Sequence, residues 1–174
     1  MPKYQSRSIK GALYNKKNGV NKLIHDTVTV TYPDLEMLSE TFKGVGINGE
    51  IDLPTYAQLG SLAVEISLNG LSADSISLFN QEKLELEHRW ASQVLDSARG
   101  TSEVVGKKII FHGLPKKLGL GSIEPNKAEE ATSSVEVLYL KYVIGNVSVL
   151  EIDKLNDVVK VNGVDYSAAI RNVL

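Results

Sequence analysis

The sequence predicts a mainly β domain, a barrel or sandwich of about eight to ten strands with one or two short helices. Three observations carry this. Apolar and polar residues alternate with period two in one segment after another. In Ser61–Asn69, Leu62, Val64, Ile66 and Leu68 share one face, and Ala63, Glu65, Ser67 and Asn69 the other. Turn dipeptides separate such runs, as at Asn18-Gly19, Asn69-Gly70, Gly145-Asn146 and Asn162-Gly163. Residues of this kind reach φ > 0 cheaply, which tight hairpins require. No stretch holds a helical spacing for long.

Taken in order, Met1–Arg7 reads as a polar arm and Ile9–Tyr14 as a short strand, turned back by Asn18-Gly19 into Val20–Ile24. Thr27–Tyr32 alternates Val28, Val30 and Tyr32 against three threonines, and Pro33, which cannot donate to a ladder, ends the run. Leu35–Phe42 has helical spacing, but flanking turn signals favour an extended arm. A glycine-rich bend, Lys43–Gly49, leads to a short strand, Glu50–Leu53, stopped by Pro54. Ser72–Phe79 is the best helix, with Ser72 as N-cap, Asp74 in the first turn and Ile76 and Phe79 as its apolar edge. At two turns it forms only by packing on the sheet. Lys83–Leu95 sets Leu84, Leu86, His88 and Trp90 against Glu85, Glu87 and Arg89. Val104–His112 follows a polar turn. Gly113–Lys127 reads as a loop or irregular strand. Ser134–Ile144, Val147–Asp153 and Val158–Val161 complete the sheet, and Tyr166–Leu174 has the spacing of a short helix.

At 174 residues the chain is one domain with room for a real core. A net charge of −2 argues against a general nucleic-acid binder, and the absence of cysteine removes disulfides, thiol catalysis and thiolate metal sites. No run approaches the roughly 18 apolar residues of a membrane helix, so no membrane anchoring is expected. The N-terminus has no signal-peptide h-region.

The chemical motifs mostly dissolve on inspection. Gly44–Gly49 matches G-x-G-x-x-G, but a dinucleotide site needs a helix to open after it. Here Glu50-Ile51-Asp52-Leu53-Pro54 follows, so the glycines read as a loop or hairpin tip. His25, His88 and His112 are widely spaced and lack clustered carboxylates. Gly106-Lys107-Lys108 lacks the rest of a P-loop, and no nucleophile elbow is present. Glu85/Glu87 and Glu129/Glu130 read as solvated faces. No enzyme, cofactor or metal is expected.

The run Leu150–Tyr166, LEIDKLNDVVKVNGVDY, resembles the C-terminal signature of the major tail tube proteins of contractile-tailed, P2-like phages and related phage-tail-like particles. In that family an EID…N…V…NGVD run follows a tyrosine- and leucine-rich strand, here Val135–Ile144 with Leu138, Tyr139, Leu140 and Tyr142. Pro125-Asn126-Lys127-Ala128-Glu129 is similar to the connection before it. The N-terminal half follows the same order: Thr27–Pro33, Leu35–Phe42, Gly44–Gly49, Glu50–Leu53, then the helix Ser72–Phe79. Ala98–Gly121 departs most from the pattern.

The resemblance implies a β-barrel-like fold related to type VI secretion and pyocin tubes. It implies a structural protein of residues 1–174, one tail tube domain with 35–53 as an extended arm and loop. Hexameric rings would stack into a tube inside a contractile sheath, a conduit for DNA or a piercing tube driven through the envelope. Implied partners are further copies of itself, the sheath protein, a tape measure protein in the lumen, and baseplate and terminator proteins. DNA would pass without specific binding. The place implied is the virion, after assembly in the host cytoplasm. By resemblance, the ring-to-ring contact is Phe42, Gly44, Gly46, Asn48, Gly49 and Glu50. Thr27/Thr29/Thr31 and Glu65/Ser67/Asn69 are candidate lumen or outer faces. The competing readings are a monomeric β-sandwich binding carbohydrate or peptide, and an enzyme on a β-barrel. The first leaves the C-terminal match unexplained, and the second lacks a catalytic constellation.

Overall fold

The computed structural model describes residues 3–17 and 19–174. Its elements are β1 (Lys3–Lys17), β2 (Val20–Leu23), β3 (Thr27–Thr31), β4 (Met37–Phe42), β5 (Ile51–Leu59), β6 (Ala63–Leu68) and α1 (Ala73–Ile76), which runs into a 3-10 turn, Ser77–Phe79. Then come β7 (Leu84–Asp96), β8 (Thr101–Gly119), β9 (Ala131–Ile144), β10 (Val147–Asp153), β11 (Val158–Val161), β12 (Val164–Asp165) and α2 (Ala168–Arg171). Asn18 of the first turn, with Met1 and Pro2 of the polar arm, lies outside the described residues. Beyond the strands read from sequence, the fold adds β4 and the two-residue β12.

β9 is the hub. One of its edges pairs with β8 along most of its length, while the other pairs with β6 over Ala131–Glu136 and with β10 over Tyr139–Ile144. A register shift at His112/Gly113 lets β8 and β9 turn from one layer into the next. One layer is therefore β3-β6-β9-β8, and the other runs β2-β1-β7-β8-β9-β10-β11-β12. The core lies between them, with Leu13, Leu62, Val64, Ile66, Leu78, Leu86, Phe111, Val135 and Val137 fully enclosed. Among the described residues β2 pairs only with β1 and β3 only with β6, so no ladder closes a barrel. The molecule is sandwich-like.

Local chemistry explains the joints. Asn162 and Gly163 both have positive φ (50° and 85°) between the paired Val161 and Val164, the pattern of a type I′ turn. At Gly113 a Cβ would stand 2.1 Å from the Glu136 carbonyl oxygen, so only glycine lets β8 approach β9 at the fold line.

Several local expectations are corrected. β1 begins at Lys3, because the expected polar arm pairs with the end of β7, Lys3 opposite Asp96. β5 continues through Pro54 to Leu59. It is one strand of a two-stranded ribbon, where a proline nitrogen can face the open side. Val28 is exposed and Thr27 turned inward, since a register shift between Thr27 and Thr29 breaks the alternation of β3. The helix is capped as expected, with Ser72 and Ser75 forming a reciprocal box. Its inward residues, however, are Ser75 and Leu78, while Ile76 and Phe79 face solvent. β8 runs on to Gly119 through a second register shift at Pro115/Lys117. The C-terminal helix is one turn, with Val173 exposed beyond it.

Candidate assembly surfaces

The motifs of possible chemistry come apart in space. His25 is exposed beside the start of β3. His88 meets the Tyr32 hydroxyl through Nδ1 at 2.7 Å and stacks beside Trp90 with ring centroids 5.2 Å apart. Burial holds its imidazole below the ordinary histidine value. His112 stacks on Tyr139 at 4.8 Å, and burial likewise lowers its pKa. Glu87, read as a solvated face, is nearly buried and bonded to Arg89 Nε at 2.5 Å. That bond holds its carboxyl below the usual carboxylate range. These groups brace the sheet.

What the fold leaves unpartnered lies elsewhere. β4 and β5 form a separate two-stranded ribbon. An isolated hairpin has marginal stability in water. Register places Glu40 opposite Leu53 and Phe42 opposite Ile51, so these share one side with Leu38, while Thr41 and Asp52 share the other. The four apolar members of the first side, Leu38, Phe42, Ile51 and Leu53, remain 50–58% exposed. All six residues expected at a ring-to-ring contact, Phe42, Gly44, Gly46, Asn48, Gly49 and Glu50, gather at the tip of this arm. The Lys43–Glu50 ion pair (2.5 Å) and an Ile47 N–H to Gly44 carbonyl bond (3.1 Å) shape the tip. The glycine motif is thus a hairpin tip. At its root, Gly60 N–H bonds the Glu36 carbonyl at 3.0 Å, Lys154 Nζ bonds the Gly60 carbonyl at 2.5 Å, and Tyr56 packs edge-on against Tyr166.

Among the described residues the β3-β6-β9-β8 layer also has two free and unlike edges, at β3 and at residues 114–119 of β8. Its solvent side carries rows of hydroxyls in register: Thr29, Ser67 and Thr132, then Thr31, Glu65, Ser134 and Lys117. Of the candidate faces, Thr29, Thr31, Glu65 and Ser67 come together here. Thr27 does not, because the β3 irregularity points it inward.

Sequence reasoning missed a third surface. On the opposite layer, β1, β7 and β8 form a trough of about 770 Å³ over a floor of small residues, Gly11, Ala12, Ala91 and Gly106. Lys10, Arg89 and Lys108 project along it, and among the described residues no carboxylate lines it. Lys107, opposite Trp90, turns its side chain to the other face, where its ammonium donates to the Gln5 side-chain oxygen. The three trough cations come from three strands distant in sequence, so no local motif announces them. Only the register, Lys10 opposite Ala91 and Ala91 opposite Gly106, brings them together.

The sequence pattern of the family described as phage tail tube protein FII matches residues 12–174. The tail tube protein of Escherichia phage P2 is 27% identical over 139 residues, covering 79% of this chain and 80% of that protein. Two solved structures share the fold. One is described as the sheath/tube terminator of the extracellular contractile injection system PVC in its extended state. It covers 81% of this chain and 96% of its own, with a TM-score of 0.54 and 12% identity. The other, from the sheath-tube complex of that system, covers 79% of this chain and 89% of its own, with a TM-score of 0.53 and 13% identity.

Proposed function

This chain belongs to the phage tail tube protein FII family, a structural and not an enzymatic family, and on that premise we propose that it builds the inner tube of a contractile tail. Hexameric rings stack into a hollow conduit for DNA, or into a piercing tube, driven through the envelope when the sheath contracts. Residues 1–174 act as one tube domain. Residues 35–53 form the arm, and Phe42, Gly44, Gly46, Asn48, Gly49 and Glu50 make the ring-to-ring contact at its tip. Partners are further copies, the sheath around the tube, baseplate and terminator proteins at its ends, and a tape measure protein in the lumen during assembly. Assembly takes place in the host cytoplasm, and the product is a virion component.

The family match over residues 12–174 carries this reading, and the two unlike free edges support the ring. β3 and β8 lie at opposite margins of a four-stranded antiparallel layer, so β8 of one copy runs antiparallel to β3 of the next. An interface between two different surfaces of one chain is heterologous and closes into a ring when the rotation permits. It also covers edges that would otherwise template aggregation. The hydroxyl rows suit the lumen wall, since each cation that neutralised a phosphate would add salt-dependent grip on passing DNA. Electron microscopy of the purified protein tests the reading. Rings or tubes with a central hole are expected, and a strictly monomeric species at every salt and protein concentration overturns it.

A further inference from the structure

We infer that the arm of one subunit lands in the Lys10/Arg89/Lys108 trough of a subunit in the adjacent ring. The inference rests on the stacked-ring reading above and names the surface that receives the arm.

Charge gives the first argument. Residues 34–53 hold Asp34, Glu36, Glu40, Glu50 and Asp52 against Lys43, a net charge of −4 on a single projecting ribbon. All five carboxylate residues are exposed. The trough has three cations, and among the described residues the only carboxylate that touches them is Glu87, which meets Arg89 at 2.5 Å and Lys108 at 4.0 Å. Among the described residues Lys10 has no carboxylate partner, and Glu87 alone answers both Arg89 and Lys108. The two surfaces are opposite in sign, and each has charge left over within its own subunit.

Shape and apolar surface give the second. The arm has one apolar side, Leu38, Phe42, Ile51 and Leu53, with Glu40 among it, and that side stays half exposed among the described residues. Beyond the trough the same sheet face continues through Gln93, Leu95 and Val104, with Tyr4 opposite Leu95. Tyr4, Leu95 and Val104 are all exposed. A cation-lined hollow bordered by an apolar fringe complements an apolar ribbon edged with carboxylates. The floor is open at Gly106, where an added Cβ would meet no atom within 4 Å. Because donor and acceptor surfaces belong to one chain, the contact repeats from ring to ring without end.

A charge swap tests this with the intact protein. Lys10→Glu with Lys108→Glu, and separately Glu40→Lys with Asp52→Lys, should each leave rings but cut ring stacking roughly tenfold or more, the scale of several exposed pairs turned repulsive. The quadruple variant, with both signs exchanged, should recover tubes. Stacking of the wild type should weaken as salt rises. A second measurement does not depend on folding of the charge variants. In this cysteine-free chain, Glu40→Cys with Asn146→Cys should give a ladder of disulfide-linked subunits on oxidation of assembled tubes. Wild-type tube lengths in the trough variant, or tubes that yield no ladder, overturn the inference while leaving the tube reading intact, and the trough would then await an acidic segment of another protein. If the wild type forms no stacks under any condition, the tube reading fails and this inference with it.

Discussion

At the scale of single residues, the fold depends on a few positions where chemistry allows little choice. Gly113 is one. A methyl group there would collide with the Glu136 carbonyl at 2.1 Å, and backbone on both sides would have to move. Gly113→Ala should cost about 2–4 kcal/mol by the mechanism of overpacking at a tight backbone contact, read as a lowered denaturant midpoint. Phe111 is another, fully enclosed and edge-on to Tyr32 at 6.3 Å. Phe111→Ala should lose about 3–5 kcal/mol, so a variant with wild-type stability would refute its place in the core. The ionisable groups set the acid limit in two steps. Burial depresses the folded pKa of His88 and His112, so both are neutral at neutral pH. Below about pH 6.5 the unfolded chain takes up protons that the folded chain refuses, and stability falls as pH falls. Glu87, lowered by Arg89, acts in the same direction at lower pH. Its contribution is present above the ordinary carboxylate pKa of about 4.3 and is lost as pH drops through its lower folded value. Thermal melts from pH 8 to 3 should therefore show an upper loss on acidification and a lower one. Glu87→Gln should reduce only the lower.

At the scale of elements, the strands whose pattern is fixed by their own turns were legible, and those shaped by a neighbour were not. β10 and β11 begin and end where the sequence places them, because each turn is local and names its own φ. The inward face of β6, Leu62 through Leu68, followed from simple alternation. The run of β8 past His112 did not, since its continuation depends on glycine at a contact with a strand more than twenty residues away. Nor did the inward turn of Thr27, which comes from an irregularity that no local residue type signals. The arm tip was legible as a loop of glycines, whereas the trough was not, being assembled by register from three separate strands. The arm also invites a direct measurement. A ribbon with four half-exposed apolar residues and no second layer should open readily in the free subunit. Limited proteolysis should cut at 43–50 in the monomer and leave the same bonds protected in assembled tubes. Equal cleavage in both states would remove the arm from the ring-to-ring contact.

At the scale of the whole molecule, the two layers divide charge in a way that suits a conduit. Cations gather in the trough of one layer, while the outer side of the other carries rows of hydroxyls with Glu65 and, at one end, Lys117. If the hydroxyl layer lines the lumen, DNA meets a wall that offers hydrogen bonds but few charges to neutralise its phosphates. The repeated copies then magnify any change at one position. Ser67→Lys with Ser134→Lys adds two cations per subunit to that wall, both at half-buried positions on its solvent side. Such tubes should retain duplex DNA in co-sedimentation, with an affinity that falls steeply as salt is raised. The retained DNA should resist nuclease digestion, because it lies inside, whereas DNA held on an outer surface would be digested. Wild-type tubes should retain little under the same conditions. Retained but nuclease-sensitive DNA would turn the hydroxyl layer outward and require the opposite assignment of the two faces.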